Sequence, residues 1–170
     1  MYLGRLDDNK RVDTLIKALK LINNEYTLEI VGNGYLKESL IELSNNLKLS
    51  SRIKFHGYVS EKKVKNLFNS SDLFVLASEF EGQPTVIIEA IRNGLNILSS
   101  NIPGSRFILD ELNLLNNTFK TGDYISLAKK INELNYDETT SLTQDLLKKK
   151  FSWEERSIEI QDIYDSLISK

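Results

Sequence analysis

Leu73-Phe74-Val75-Leu76-Ala77 is continuously apolar and runs straight into Ser78-Glu79-Phe80-Glu81-Gly82-Gln83-Pro84-Thr85-Val86-Ile87-Ile88-Glu89-Ala90. An apolar run without alternation suits a strand buried on both faces, as in a parallel sheet. Pro84 suits the first turn of a helix, where its missing N–H costs nothing. The stretch therefore reads as strand, loop and helix. Free amides of Thr85 and Val86 would make the helix start an anion site, through unpaired donors and the helix dipole. Glu81 sits in the loop and Glu89 about a turn inside the helix, and a carboxylate accepts readily from neighbouring sugar hydroxyls. A phosphate cradle flanked by two hydroxyl readers fits a sugar, a diphosphate and a ribose in a row. Taken alone, these residues leave a plainer reading open: two solvated glutamates, one of them near a helix dipole.

The same unit recurs on both sides. Met1 to Leu3, Tyr26 to Val31, Ile53 to Phe55 and Asn96 to Ser99 read as strands, with Asn113 to Leu115 as a last one. Val12 to Ile22, Tyr35 to Leu47, Ser60 to Asn69, Pro84 to Asn93 and Asp123 to Leu134 carry apolar residues at helical spacing. Ser60 is a candidate cap. Glu138 to Lys149 and Trp153 to Ile168 read as two closing helices with no strand between them. Strand-helix alternation predicts an α/β fold, a three-layer Rossmann-like parallel sheet with helices on both faces. Ligands of such sheets bind at the carboxyl ends of the strands. The informative loops are therefore Gly4 to Lys10, Gly32 to Tyr35, Phe55 to Ser60, Ser78 to Gln83 and Ser99 to Ser105.

With 170 residues the chain suits one domain. A formal net charge of -2 gives no field to attract nucleic acid. Cysteine is absent and His56 is the only histidine, so neither thiolate nor multi-histidine metal sites are expected. A cysteine-free chain is compatible with a reducing cytosol. The opening MYLGRLDDNKR turns charged too early for a signal peptide. Met1 leads directly into a strand-like triplet, which reads as a chain beginning at a domain boundary.

Glu81 and Glu89, separated by seven residues and followed by Ala90 and Asn93-Gly94, resemble the signature of glycosyltransferase family 4. Further motifs are similar to that family's, in the same order. They are Gly4-Arg5-Leu6 with Lys10, Ile30-Val31-Gly32-Asn33-Gly34, Phe55-His56-Gly57-Tyr58-Val59, Ser71 to Ser78, and Phe151-Ser152-Trp153. The resemblance spans nearly the whole chain. It implies the carboxyl-terminal, donor-binding domain of a retaining enzyme with the two-domain GT-B architecture. An amino-terminal acceptor domain would lie outside this chain, and this domain alone would bind without turnover.

The resemblance also implies roles. Arg5 and Lys10 match the basic pair that grips the donor diphosphate and stabilises the leaving nucleotide. Glu81 matches the glutamate that meets the donor sugar, and Glu89 the one that accepts from the ribose. Gly4, Gly32 and Gly34 match the backbone turns that approach the nucleotide, and Gly57 and Tyr58 the strand end beside the base. Gly82, Gln83, Thr85 and Val86 complete the loop and helix start. The family's active-site histidine belongs to the other domain, so His56 takes no catalytic role. The form Glu81-Gly82-Gln83-Pro84 replaces the family's E-G-F-G, and Phe107 stands where a glutamate is common. Arg106 is either a cleft cation or a turn cap. The implied reaction transfers a hexosyl residue from a nucleoside diphosphate sugar to a glycan or lipid-linked acceptor in surface polysaccharide synthesis. No metal or cofactor is expected, no nucleic-acid partner, and a cytoplasmic protein, peripheral at the inner face of the membrane. Two alternatives remain at this level: half of a GT-B-like epimerase or phosphorylase, and a non-catalytic nucleotide-binding or interaction module.

Overall fold

The computed structural model describes residues 1–134 and 141–168. Strands β1 (Tyr2–Leu3), β2 (Leu28–Val31) and β3 (Ile53–Gly57) form one parallel sheet in the order β1-β2-β3. Strands β4 (Leu73–Leu76), β5 (Asn96–Ser100) and β6 (Thr118–Phe119) form a second, in the order β4-β5-β6. The two meet along β1 and β4. There the Val75 N–H donates to the Met1 carbonyl at 3.1 Å, and the Met1 amine donates to the Leu73 carbonyl. The continuous order is therefore β3-β2-β1-β4-β5-β6, with the direction of winding reversing at β1 as the doubly wound pattern requires.

Alternation along β4 sends its side chains to opposite layers. Val75 and Ala77 join Tyr2, Ile30 and Leu98 under α1 (Val12–Leu19), α2 (Lys37–Asn46) and α6 (Tyr124–Glu133). Phe74 and Leu76 join Val31 and Ile97 under α3 (Glu61–Asn69), α4 (Thr85–Arg92) and α5 (Pro103–Glu111). Each layer thus buries a helix stripe of Val, Ile and Leu against one sheet face, the main favourable term in folding. Ser60 caps α3 as expected, its Oγ accepting from the Lys63 N–H at 3.4 Å.

Three sequence expectations need correction. Asn113 to Leu115 is not a strand: Asn113 has φ 59°, and the last strand is Thr118–Phe119. The expected loop Ser99 to Ser105 ends early: Pro103 starts a helix, Pro103–Glu111, that buries Ile108 and Leu109. Pro84 is the residue before α4 rather than in its first turn. The first closing helix is α7 (Ser141–Phe151), and residues 138–140 of its expected span lie outside the described residues. It packs on α4 and buries Leu147, and α8 (Trp153–Ile168) follows it.

Candidate active site

Parallel pairing brings the loops after β1, β2, β3 and β4 to one edge of the sheet, and glycine lets them close up. The Gly4 N–H donates to the Val31 carbonyl at 3.0 Å, and the Gly32 N–H to the Gly57 carbonyl at 2.9 Å. A Cβ on Gly32, whose φ is +127°, would lie 1.8 Å from the Gly4 carbonyl oxygen. One on Gly34 would lie 2.2 Å from the Leu6 carbonyl oxygen. Both obstacles are backbone, so no side chain can be accommodated by a rotamer change. Tyr58 follows this row and is 82% exposed.

The loop after β1 forms a short 3-10 turn (Asp8–Lys10), with Asp7 accepting from the Lys10 N–H. This aims the Lys10 ammonium across the sheet edge at Glu81, with Nζ 2.5 Å from Oε1. Both side chains are only 17% exposed. Ser78 Oγ donates to the same carboxylate oxygen at 2.7 Å. The Ser78 carbonyl is held in turn by Ser100 Oγ at 2.6 Å. Gly104, at the start of α5, backs the loop closely: a Cβ there would lie 2.4 Å from the Glu81 carbonyl oxygen and 2.6 Å from that of Gly82. Between this loop and α5 opens a cleft of about 640 Å³ lined by Phe80, Glu81, Gly82, Gln83 and Phe107, among others.

Arg5 is largely exposed and pairs with Asp7 at 3.3 Å. The Tyr2 hydroxyl donates to the Arg5 carbonyl at 2.6 Å. Burial pushes the Tyr2 phenol well above its ordinary range, the Asp7 and Glu81 carboxylates push it further, and Arg5 opposes them. Arg5 thus lies over Tyr2 on the loop after β1, the loop that also carries Lys10. Glu89 is exposed on α4 and joins none of these contacts.

At the start of α4 the expected pair of free amides is reduced to one. The Thr85 N–H donates to the Gln83 carbonyl at 2.9 Å, because Pro84 bends the chain into a tight local turn. Among the described residues the Val86 N–H has no hydrogen-bond partner. His56 is paired with Glu29 on the neighbouring strand and its side chain is only 7% exposed, a structural contact. Arg106 donates to Asn101 Oδ1 at 3.4 Å, next to its own helix start, and also lines a cleft with Pro103 and Phe107. Among the described residues, no three His, Asp or Glu side chains gather in a way that could hold a metal ion.

Sequence reasoning missed Asn9, Arg11 and Glu79. Arg11 binds Glu79 at 2.5 Å and Asp13 at 3.2 Å. Asn9 pairs with the Phe80 backbone in both directions at 3.0 Å. Only their chain position next to Lys10 and Glu81 could have drawn attention to them.

The description of the glycosyl transferases group 1 family matches residues 1–152. The chain belongs to that family. Similar proteins include the O-antigen biosynthesis glycosyltransferase WclY of Escherichia coli, 26% identical over 167 residues, covering 96% of this chain and 45% of WclY. The lipopolysaccharide 1,6-galactosyltransferase of Salmonella typhimurium is 31% identical over 109 residues, covering 59% of this chain and 29% of that protein. The Anabaena protein HepE, solved in complex with UDP-glucose, superposes with a TM-score of 0.80 at 24% identity, covering 99% of this chain and 48% of HepE. Such structures share the GT-B Rossmann-like fold. The chain spans less than half the length of these relatives.

Proposed function

We propose that this chain is the donor-binding half of a retaining glycosyltransferase that transfers a hexosyl residue from a nucleoside diphosphate sugar to a glycan or lipid-linked acceptor of a surface polysaccharide. The observation that carries the reading is the half-sequestered Lys10–Glu81 pair at the carboxyl edge of the sheet, beside Arg5 and a row of side-chain-free strand ends. Lys10 and Arg5 supply positive charge where a diphosphate would lie, and Glu81 an acceptor for the sugar. Gly57, whose missing Cβ would meet open space, leaves backbone free for a nucleoside to lie against. Tyr58 and Gly57 would border the base and Glu89 the ribose, with Val86 the free amide for a phosphate oxygen.

Chemically, a departing nucleoside diphosphate gains negative charge as its bond to the sugar breaks. Lys10, once it exchanges Glu81 for the diphosphate, and Arg5 would stabilise that charge, which is electrostatic catalysis. The same two cations would fill the part that other transferases give to a metal. Retention follows if the leaving phosphate takes the proton of the attacking hydroxyl on the same face, an analogy with the family rather than a consequence of these contacts. An acceptor domain would supply the other wall. A row of exposed apolar residues on α8, Trp153, Ile160, Tyr164 and Leu167, supports packing by a further part of the protein. Their spacing puts them on one helix face.

Thermal-shift titration of the 170-residue chain with uridine, UDP, UDP-glucose and the corresponding guanosine ligands tests the reading. A ligand that binds only the folded state raises its stability. A nucleoside diphosphate or its sugar should raise Tm where the bare nucleoside does little. No shift from any of them at millimolar concentration would refute the assignment.

A further inference from the structure

Lys10 poses a mechanical problem for the donor-binding reading, on which this inference rests. If Lys10 grips a diphosphate it must loosen from Glu81, yet Glu81 must stay in place to meet the sugar. Something other than the ion pair has to hold the Glu79–Glu81 loop against the loop after β1.

Asn9 has that geometry. Its side-chain Nδ2 donates to the Phe80 carbonyl at 3.0 Å, and its Oδ1 accepts from the Phe80 N–H at 3.0 Å. Its own carbonyl accepts from the Glu79 N–H at 2.8 Å. One residue thus makes three hydrogen bonds to two consecutive residues of the other loop, imitating a strand ladder where no strand runs. The amide side chain is suited to this because it offers donor and acceptor on one flat group. Lys10 and Glu81, the next residues along each loop, are brought face to face by it. Arg11 and Glu79 add a crossing ion pair at 2.5 Å. Arg11 holds φ 48°, a left-handed conformation that a non-glycine residue adopts only under outside restraint.

We propose that Asn9 is a positioning residue: it locks the Glu79–Glu81 loop through its backbone, so that Lys10 can exchange Glu81 for the donor diphosphate while the loop stays fixed. The clamp runs through Asn9 and the Glu79 and Phe80 backbone, not through the Lys10 and Glu81 side chains. It leaves the ion pair free to open.

Amide hydrogen exchange on the ligand-free chain, with calorimetric titration of uridine and UDP-glucose, tests this. Asn9→Ala removes the Phe80 N–H partner and should speed exchange at Phe80 by about tenfold, the worth of one ordinary hydrogen bond. Asn9→Asp keeps an acceptor and should keep Phe80 protected. Lys10→Ala should also leave Phe80 protected, because the clamp does not run through the ion pair. Asn9→Ala should weaken UDP-glucose by about tenfold and uridine by less than about twofold, since uridine does not use Lys10 or Glu81. Exchange at Phe80 unchanged in Asn9→Ala, or raised equally by Lys10→Ala, would overturn the clamp. So would equal loss of uridine and UDP-glucose, the mark of a general structural fault. If wild-type protein binds neither ligand nor any other nucleoside diphosphate sugar, the donor-binding reading fails, and the exchange data still decide the clamp.

Discussion

Removing the charge of Lys10 measures how strongly the site is preorganised before any ligand arrives. In Lys10→Met the aliphatic stem is kept and the ammonium lost. Glu81 Oε1 then retains one partner, the Ser78 hydroxyl at 2.7 Å. At the observed 2.5 Å separation the gross attraction is about 7 kcal/mol in an effective dielectric of roughly 20. Most of that is offset by the cost of taking both groups out of water. The net figure is better taken from hydrogen bonds to charged groups, roughly 1.5–3 kcal/mol. In a domain of this size that corresponds to a fall in Tm of roughly 3–12 °C. Glu81→Gln is milder, about 1 kcal/mol, because an amide oxygen still accepts from both Ser78 and Lys10. The double variant should cost less than the sum, since either change alone already breaks the charged contact. Urea unfolding of the wild type, both single variants and the double variant gives the coupling directly, expected at about 1 kcal/mol or more. Additivity within about 0.5 kcal/mol, the behaviour of independent sites, would show that the pair is not the organising contact of this edge.

Gly32→Ala should be among the most disruptive single substitutions, costing roughly 2–4 kcal/mol through overpacking and an unfavourable φ, because the new methyl would lie 1.8 Å from the Gly4 carbonyl oxygen; an unfolding midpoint within error of wild type would contradict the packing. Glu89→Gln should weaken ribonucleotides by roughly 1.5–3 kcal/mol and matter less for a deoxyribose analogue, while Arg5→Ala should weaken diphosphates more than nucleosides. Calorimetry that finds no ligand dependence in either variant would remove both residues from the site.

Where the chain repeats a local rule, its sequence announces the structure. Leu73 to Ala77 is apolar at every position because both faces of β4 are covered, and Val12 to Leu19 carries its apolar residues on one stripe because only one face of α1 is. The errors fall where two local signals compete. Pro103-Gly104-Ser105 looks like a turn, but proline is also a good first helical residue, and Ile108 and Leu109 one turn later supply the buried stripe. Asn113-Leu114-Leu115 is apolar enough for a strand, yet Asn113 adopts a left-handed turn, and the chain reaches the sheet only at Thr118. A strand of two residues has no alternation from which to be recognised.

The site divides along a different line. Arg5, Lys10, Glu81 and the glycines are visible one at a time, since each belongs to a recognisable motif. Their joining is not visible, because Lys10 and Glu81 lie 71 residues apart and meet only once the winding of the sheet reverses at β1. Asn9 is invisible for a stronger reason. Asparagine in a turn is ordinary, and nothing local distinguishes an amide that caps its own turn from one that holds another loop. What makes Asn9 exceptional is the pairing of its side chain with a backbone segment from the far half of the sheet. The fold was therefore legible from periodicity, and the candidate site residues from motifs. The restraint proposed for Asn9 belongs to the contact map, which is why the amide exchange at Phe80 is the measurement that bears on it most directly.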